Sequence, residues 1–312
     1  MSASKILGLE AFTDRIKKSE EQAQTRDCFS YKWKQRNSYE SDEFLSKNQQ
    51  WLIERYCQGD HKNIDRLLGD GPKVILDAGC GSGFSSALLF GQRLNHHHFL
   101  GIDISDATEV AKSRFNEMGI HAEFLQCGIN ELPVAKESFD LIFSEGVLHH
   151  TDSTFESLKH LSHQLKKGGY FMFYVYKKKA LIREFTDDAI RQQLQKLSDE
   201  EAWEALKPLT KLGMALGEMN IEVDVPEDIP LLGIPKGKMD LQRFIYWNIF
   251  KAFHHPGYSE EENNHMNFDW YRPLNCHRHS EEEIRDYCDK CSLQIEHMDV
   301  QDSGITVVAK KQ

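Results

Sequence analysis

The chain has 312 residues, 40% hydrophobic and 28% charged, with a formal net charge of −11 at pH 7. That length suits one large domain or a core domain with a sizeable insertion, and the composition is that of an ordinary globular protein. The acidic balance argues against a dedicated nucleic-acid binder, because neutralising phosphates calls for a basic surface, although Lys177, Lys178 and Lys179 form a local basic run.

The N-terminal stretch MSASKILGLEAFTDRIKKSEEQ lacks the continuous apolar core of a signal peptide. No apolar run approaches the roughly 20 residues of a membrane-spanning helix. The seven scattered cysteines fit a reducing compartment better than a disulfide framework, so a cytoplasmic protein is expected. Residues 1–65 read as a polar helical cap segment containing the aromatic-basic patch CFSYKWKQRNSYES. Short apolar runs then alternate with amphipathic stretches. KVILDAG, HHFLGIDIS, AEFLQC, FDLIFSEG and GGYFMFYVY read as buried strands. Asp106 with Glu109, and Ser153 with Glu156, have the spacing of helix capping boxes. Such alternation implies an α/β fold with a parallel sheet covered by helices.

After Tyr176 the alternation stops. DDAIRQQLQKLSDEEAWEAL and DLQRFIYWNIFKAF read as helices, joined through the Pro/Gly-rich loop VPEDIPLLGIPKGK. Ser280 and Glu283 cap a further helix, and LQIEHMDVQ and GITVVAKK close the chain as an antiparallel strand pair around the DSG turn.

VILDAGCGSGFSS (Val74–Ser86) carries the chemistry. A glycine-rich turn after a first strand lets a ligand approach the backbone at the next helix N-terminus. Dinucleotides prefer G-x-G-x-x-G, but here Gly79, Gly81 and Gly83 give G-x-G-x-G and Phe84 follows. Asp77 at the strand end would repel a pyrophosphate and suits a cation or zwitterion. Asp103, which closes the second strand in GIDIS, can accept ribose hydroxyls. Together these features point to S-adenosylmethionine.

From about Val74 to Tyr176 the chain resembles the class I S-adenosylmethionine-dependent methyltransferases (the type 11 methyltransferase-domain group), through LDAGCGSG, GIDIS, LP and SFDLIFSEGVLHH. The resemblance implies a Rossmann-like, mostly parallel seven-stranded sheet with an antiparallel C-terminal strand. With the pattern along the chain, this gives a cap (1–65), a cofactor-binding core (66–176), a helical substrate-binding lid (177–275) and a C-terminal helix and hairpin (276–312). It implies S-adenosylmethionine as cofactor and S-adenosylhomocysteine as product. Asp77, Gly79, Gly81 and Gly83 would surround the methionyl part and Asp103 the ribose. Ile104 would pack on adenine, and Glu145 to Val147 would line the floor. Where many relatives carry an adenine-binding acid, four residues before the LP leucine, this chain has Gly128. Adenine recognition then falls to the backbone of Gly128 and Ile129, or to Asn130. Phe29, Tyr31 and Trp33 resemble an aromatic segment folded over the cofactor, where ring faces attract a sulfonium; the alternative is that they fill a core.

Methyl transfer from a sulfonium needs alignment, and needs a base only for a protonated acceptor. His149 and His150 are the base candidates, with Tyr176 at the end of the fifth strand; the alternative is backbone bonding at a strand–helix junction. Tyr176, Arg183, Arg243, Tyr246, Trp270, Tyr271 and Arg272 could form an acceptor pocket. Of these, Tyr176, Arg183, Tyr271 and Arg272 are preferred, since strand ends and proline-bounded loops tend to face clefts; most of the other aromatics read better as the insertion's own core, because a lid of about 100 residues must bury something. Cys276, His277, His279, Cys288 and Cys291 lie close in sequence, but one C-x-x-C without a matched pair is a weak zinc signal, and no metal is expected. The expected function is methyl transfer to O, N or S of a polar small molecule with no nucleic-acid partner and an open oligomeric state. The alternatives are an RNA- or tRNA-modifying enzyme and a non-catalytic cofactor-binding regulator.

Overall fold

The computed structural model describes residues 2–9 and 19–312; the helical character expected for residues 10–18 lies outside the described residues. The N-terminal part carries α1 (Ala3–Leu7), α2 (Glu20–Lys34), a 3₁₀ turn at Arg36–Ser38, α3 (Asp42–Cys57) and α4 (Asn63–Leu68). The alternating part runs β1 (Val74–Ala78), α5 (Phe84–Phe90), β2 (His98–Asp103), α6 (Ala107–Glu117), β3 (Glu123–Gln126), β4 (Phe139–Glu145), α7 (Thr154–Gln164) and β5 (Leu165–Tyr176). Then follow α8 (Leu181–Leu194), α9 (Asp199–Glu218), β6 (Glu222–Val225), β7 (Gly237–Asp240), α10 (Leu241–Asn248) and α11 (Glu260–Tyr271). The chain closes with α12 (Glu281–Lys290), β8 (Leu293–Val300) and β9 (Gly304–Lys311).

The main sheet has the order β3-β2-β1-β4-β5-β9-β8. The pairings from β3 through β5 are parallel, and β9 runs antiparallel to both β5 and β8. This is the Rossmann-like α/β sheet with one antiparallel C-terminal strand that the sequence implies. Every residue of β1 is buried, as expected for a parallel strand covered on both faces. The strand order reverses between β1 and β4, so a crevice opens outside the carboxyl ends of these strands. Among the described residues no helix is long and apolar enough to cross a membrane.

The chain forms two compact units. The first contains residues 1–34, 46–177 and 275–312; the second contains 35–45 and 178–274. Residues 35–45, grouped with the N-terminal cap by sequence, thus cluster with the insertion. Within the second unit Ser38 Oγ meets His265 Nδ1 at 2.9 Å, and Ser41 donates to Glu262. Buried Tyr39 lies 5.1 Å from the His265 ring. The expected Pro/Gly-rich loop is present, but its flanks pair as the antiparallel strands β6 and β7, which sequence reading did not anticipate.

Two of the three expected caps form. Ser153 accepts from the Glu156 amide, and Ser280 with Glu283 makes a full capping box. Asp106 does not cap α6; its carboxylate instead takes the Lys34 ammonium at 2.7 Å, a stronger partner than a backbone amide.

Candidate functional site

The glycine turn after β1 is held by its own backbone: the amides of Gly79 and Cys80 both donate to the Ile102 carbonyl at 2.8 Å. Gly79, Gly81 and Gly83 have φ of 84°, 50° and 69°, a region that side chains disfavour. Crowding adds to this. A Cβ on Gly81 would sit 2.6 Å from Trp33 Nε1, one on Gly83 would sit 2.7 Å from Phe115, and one on Gly79 would overlap Val147. The β1 turn, α2, α6 and the β4 end therefore meet here.

Two buried carboxyls flank the turn. Asp77 is 3% exposed and accepts from the Ser86 hydroxyl. Burial pushes its pKa up to about 7 against the opposing Ser86 bond, with the Asp103 and Glu145 charges adding to the rise. Asp103 Oδ2 accepts from the Gly81 amide at 2.8 Å, and Oδ1 accepts from the Ser105 amide and hydroxyl at 2.8 and 2.5 Å. Burial raises Asp103 too, opposed by these same bonds. Since each carboxylate oxygen offers two acceptor directions, Oδ2 keeps one for a ligand hydroxyl. A turn that tolerates no Cβ and two carboxyls at adjacent strand ends fit the methionyl and ribose parts of S-adenosylmethionine.

On α2, Phe29 and Trp33 are one helical turn apart and share a face. Trp33 reaches Gly81, and the Phe29 ring lies 5.2 Å from His150 in an edge arrangement. Lys32 is buried, with its ammonium 3.9 Å from the Trp33 ring centroid and 5.4 Å from that of Phe29. Tyr31 is half-buried, and its spacing puts it off the Phe29–Trp33 face.

At the end of β4 the side chain of Glu145 is engaged from α3. Arg55 Nη2 and the Tyr56 hydroxyl each donate to it at 2.5 Å. Arg55 also donates to Thr306 at 3.0 Å and stacks 3.4 Å from the Trp51 ring centroid and 4.3 Å from that of Tyr174. Glu145 was expected to line the cofactor floor; its carboxylate instead anchors α3 to the sheet, and Val147 is the residue beside Gly79. Sequence reading missed Arg55, though Trp51 and Arg55 at i, i+4 in a polar helix were a usable signal.

His149 is fully buried, its ring centroid 3.9 Å from that of Tyr176 and 4.2 Å from that of His150. His150 Nδ1 lies 2.6 Å from the Asn275 carbonyl. A carbonyl only accepts, so Nδ1 carries the proton and the lone pair of the neutral ring is on Nε2. The segment carrying the tempting zinc ligands lines up along this loop: His277 bonds the Thr151 carbonyl, and His279 bonds the Thr154 hydroxyl. Burial pushes the Cys288 thiol up to about 12 and raises Cys291 also, as befits core thiols. Among the described residues no group of three potential ligands could hold a metal.

Beside β3, Ile104 is half-buried, Ile129 belongs to the core, and Asn130 donates to the Ser157 hydroxyl at 3.3 Å. The Asn130 side chain is thereby tied to α7.

The acceptor candidates on the insertion lie inside the second unit. Arg183, Trp270, Tyr271 and Arg272 are 1%, 3%, 0% and 6% exposed. Asp187 gathers three of them, accepting from Arg183 at 3.1 Å and from Trp270 and Tyr271 at 2.7 Å. Arg272 bonds Asp199 and the Leu194 and Leu197 carbonyls. Tyr271 ends a helix and Arg272 caps it, which corrects the proline-bounded loop expected from sequence. These residues are buried and most of their donors are taken by Asp187, Asp199 and backbone carbonyls, while Arg183 Nη1 is buried without a hydrogen-bond partner. Tyr246 packs edge-on against Trp247 at 4.5 Å, and Arg243 donates to the His254 carbonyl at 3.2 Å.

Residues 70–219 match the family model described as "Methyltransferase domain". Curated relatives include the tRNA U34 carboxymethyltransferase of Shewanella halifaxensis, 39% identical over 102 residues, covering 31% of this chain and 29% of that protein. Another is the tRNA U34 carboxymethyltransferase of Desulfotalea psychrophila, 32% identical over 123 residues, covering 38% and 37%. The chain thus spans about a third of the length of these relatives. Among solved structures, Burkholderia thailandensis 1,6-didemethyltoxoflavin-N1-methyltransferase, with bound S-adenosylhomocysteine, shares the fold at a TM-score of 0.50. It is 13% identical, with 96% of this chain and 93% of that chain covered. The expectation of no nucleic-acid partner does not stand against relatives named for acting on tRNA. A net charge of −11 sums over the whole chain and does not describe any one face.

Proposed function

We propose that this chain, whose residues 70–219 match a methyltransferase-domain family, is an S-adenosylmethionine-dependent enzyme methylating a nucleoside of tRNA, the wobble uridine being the first to test. The observation that carries the transfer reaction is the Cβ-intolerant turn at Gly79–Gly83 between the carboxyls of Asp77 and Asp103. The tRNA acceptor is supported by the local likeness to tRNA U34 carboxymethyltransferases, and the cytoplasm is the compartment that fits it.

When bound, S-adenosylmethionine supplies an activated alkyl group on a sulfonium. Asp77 and the glycine turn hold the methionyl part, and Asp103 Oδ2 accepts a ribose hydroxyl. Phe29 and Trp33 cover the turn, exclude water and offer ring faces to a cation. His150, with Nε2 as the basic atom, takes the proton of an acceptor that is protonated at neutral pH. Tyr176 stacks on His149 and holds the histidine pair in place. Because the chain as a whole repels phosphates, grip on RNA must come from local cations, the exposed Lys178 and its lysine neighbours first.

The test incubates the full chain with S-adenosylmethionine and total tRNA, digests the RNA to nucleosides and weighs the products. The expected result is a new methylated uridine that disappears with Asp103→Ala, methyl being the only alkyl group this donor can transfer. Product found only among small molecules, with none in RNA, would overturn the acceptor.

A further inference from the structure

Asp187 is the hub of a buried polar cluster in the second unit, and its capacity is used up. Its Oδ2 accepts from Arg183 Nε at 3.1 Å and from Trp270 Nε1 at 2.7 Å. Its Oδ1 accepts from the Tyr271 hydroxyl at 2.7 Å and from the Lys251 amide at 3.1 Å. Two bonds to each oxygen fill the acceptor directions of a carboxylate. Arg183, 1% exposed, is left with a buried Nη1 that no acceptor meets. In a planar guanidinium the Cζ–Nη1 bond runs opposite to Nε–H, so Nη1 points away from Asp187. The other carboxylates of α8 are engaged: Asp188 pairs with Arg191, and Glu184 accepts from the Lys179 amide.

A buried donor on a charged group is costly to leave unmet, and the surroundings say what meets it. The Arg183 guanidinium carbon lies 4.6, 5.5 and 5.2 Å from the ring centroids of Tyr246, Trp247 and Trp270. With aromatic rings packed about it, the guanidinium has its edge to offer, the approach by which it binds oxyanions. The ammonium of Lys179 lies against the same two indoles, 5.8 Å from Trp247 and 5.5 Å from Trp270, and that of Lys251 is 5.3 Å from Trp270. A water would give Nη1 an acceptor, whereas an oxyanion also answers this positive charge. Arg183 and Trp270 are buried, and Lys179 and Trp247 half-buried. Only a group at the end of a ligand reaches Nη1, which a phosphodiester within an RNA strand is not.

We propose that Arg183 Nη1 is the floor of an oxyanion site in the second unit, taking a terminal carboxylate or phosphate, with Lys179 as its more accessible cation. None of these residues belongs to the glycine turn or the strand ends assigned to the cofactor, so the site goes beyond the transfer reaction.

The test adds sodium phosphate or sodium acetate to the full chain, against sodium chloride at equal ionic strength. It reads melting temperature and, by calorimetry, the binding isotherm. Saturable binding with a rise in melting temperature is expected, the tighter of the two probes naming the end group. Arg183→Lys keeps a cation for Asp187 and removes Nη1; it should weaken that probe about ten- to a hundredfold. Lys179→Gln, at a half-buried position that the fold does not depend on for Asp187, should weaken it severalfold and keeps the test open if the first variant unfolds. No saturable effect of either anion on the wild type would overturn the site, and so would binding that survives both substitutions unchanged. No cofactor is present in these titrations, so failure here leaves the methyltransferase reading standing.

Discussion

Asp77 is where burial acts most directly on ligand chemistry. Its carboxyl, raised to about 7 chiefly by burial, is largely neutral in the ligand-free protein at slightly acid pH. The neutral form is favoured by the fold, so Asp77's contribution to stability is full below the unfolded carboxyl range, roughly pH 3.9. It is lost as pH rises through about 7. A ligand ammonium beside it favours the charged form instead. S-adenosylhomocysteine should therefore bind more tightly as pH rises towards 7, with release of a proton. Calorimetry in two buffers of different ionisation enthalpy near pH 6.5 measures that proton, and Asp77→Asn should abolish it. Equal heats in both buffers for the wild type would contradict the assignment. The positions of Asp77 and Asp103, buried at adjacent strand ends on either side of the glycine turn, were legible in the sequence, because each carboxylate closes a short apolar run. The approach of the Glu131 carboxylate to Gly128 was not legible, since only the fold-back of a single 3₁₀ turn brings it there.

Between elements, α3 is joined to the sheet by a buried ion pair, Arg55–Glu145, with side chains 0% and 10% exposed, beside the Tyr56 and Thr306 hydrogen bonds. Removing one partner of a buried pair strands the other charge, at a cost of about 3–5 kcal/mol. Arg55→Met should destabilise the protein by about that much in urea unfolding. Replacing both partners, with Glu145→Leu added, should recover most of the loss; a double variant no more stable than the single would show that the guanidinium matters mainly through its stacking on Trp51 and Tyr174. The seven strands of the main sheet were legible because each is a short apolar run between glycine or capping signals. The β6–β7 pair was not: EVDV and GKMD carry too little apolar character to announce a strand. Helix α11 was missed because it is buried with a polar first half, EEENNH, and no aliphatic stripe in EEENNHMNFDWY, its asparagines bonding neighbouring backbone where an amphipathic helix would bury leucines. Asn263 and Asn264 between them reach the Tyr258, Ser259 and Trp203 carbonyls.

At the scale of the whole molecule, the second unit is built from two separate stretches, 35–45 and 178–274, so an N-terminal substitution should act on it. Tyr39→Ala deletes a fully buried ring that packs beside His265, and large aromatic deletions cost about 3–5 kcal/mol. Hydrogen exchange should then quicken in α9 and α11 while β1 and β4 keep their protection. Uniform quickening across both units would mean that they unfold as one. No pattern in residues 35–45 reveals this membership, because a segment of that length carries no periodicity of its own and its partners are more than 200 positions away in the sequence. The same discontinuity sets a schedule for biosynthesis. At roughly 5–20 residues per second, Tyr39 and Phe44, whose rings lie 5.1 and 6.1 Å from that of His265, leave the ribosome roughly ten to forty seconds before α11. During that interval two large aromatic side chains wait for their partners on α11, which makes this short stretch one point at which a nascent chain needs a chaperone's cover.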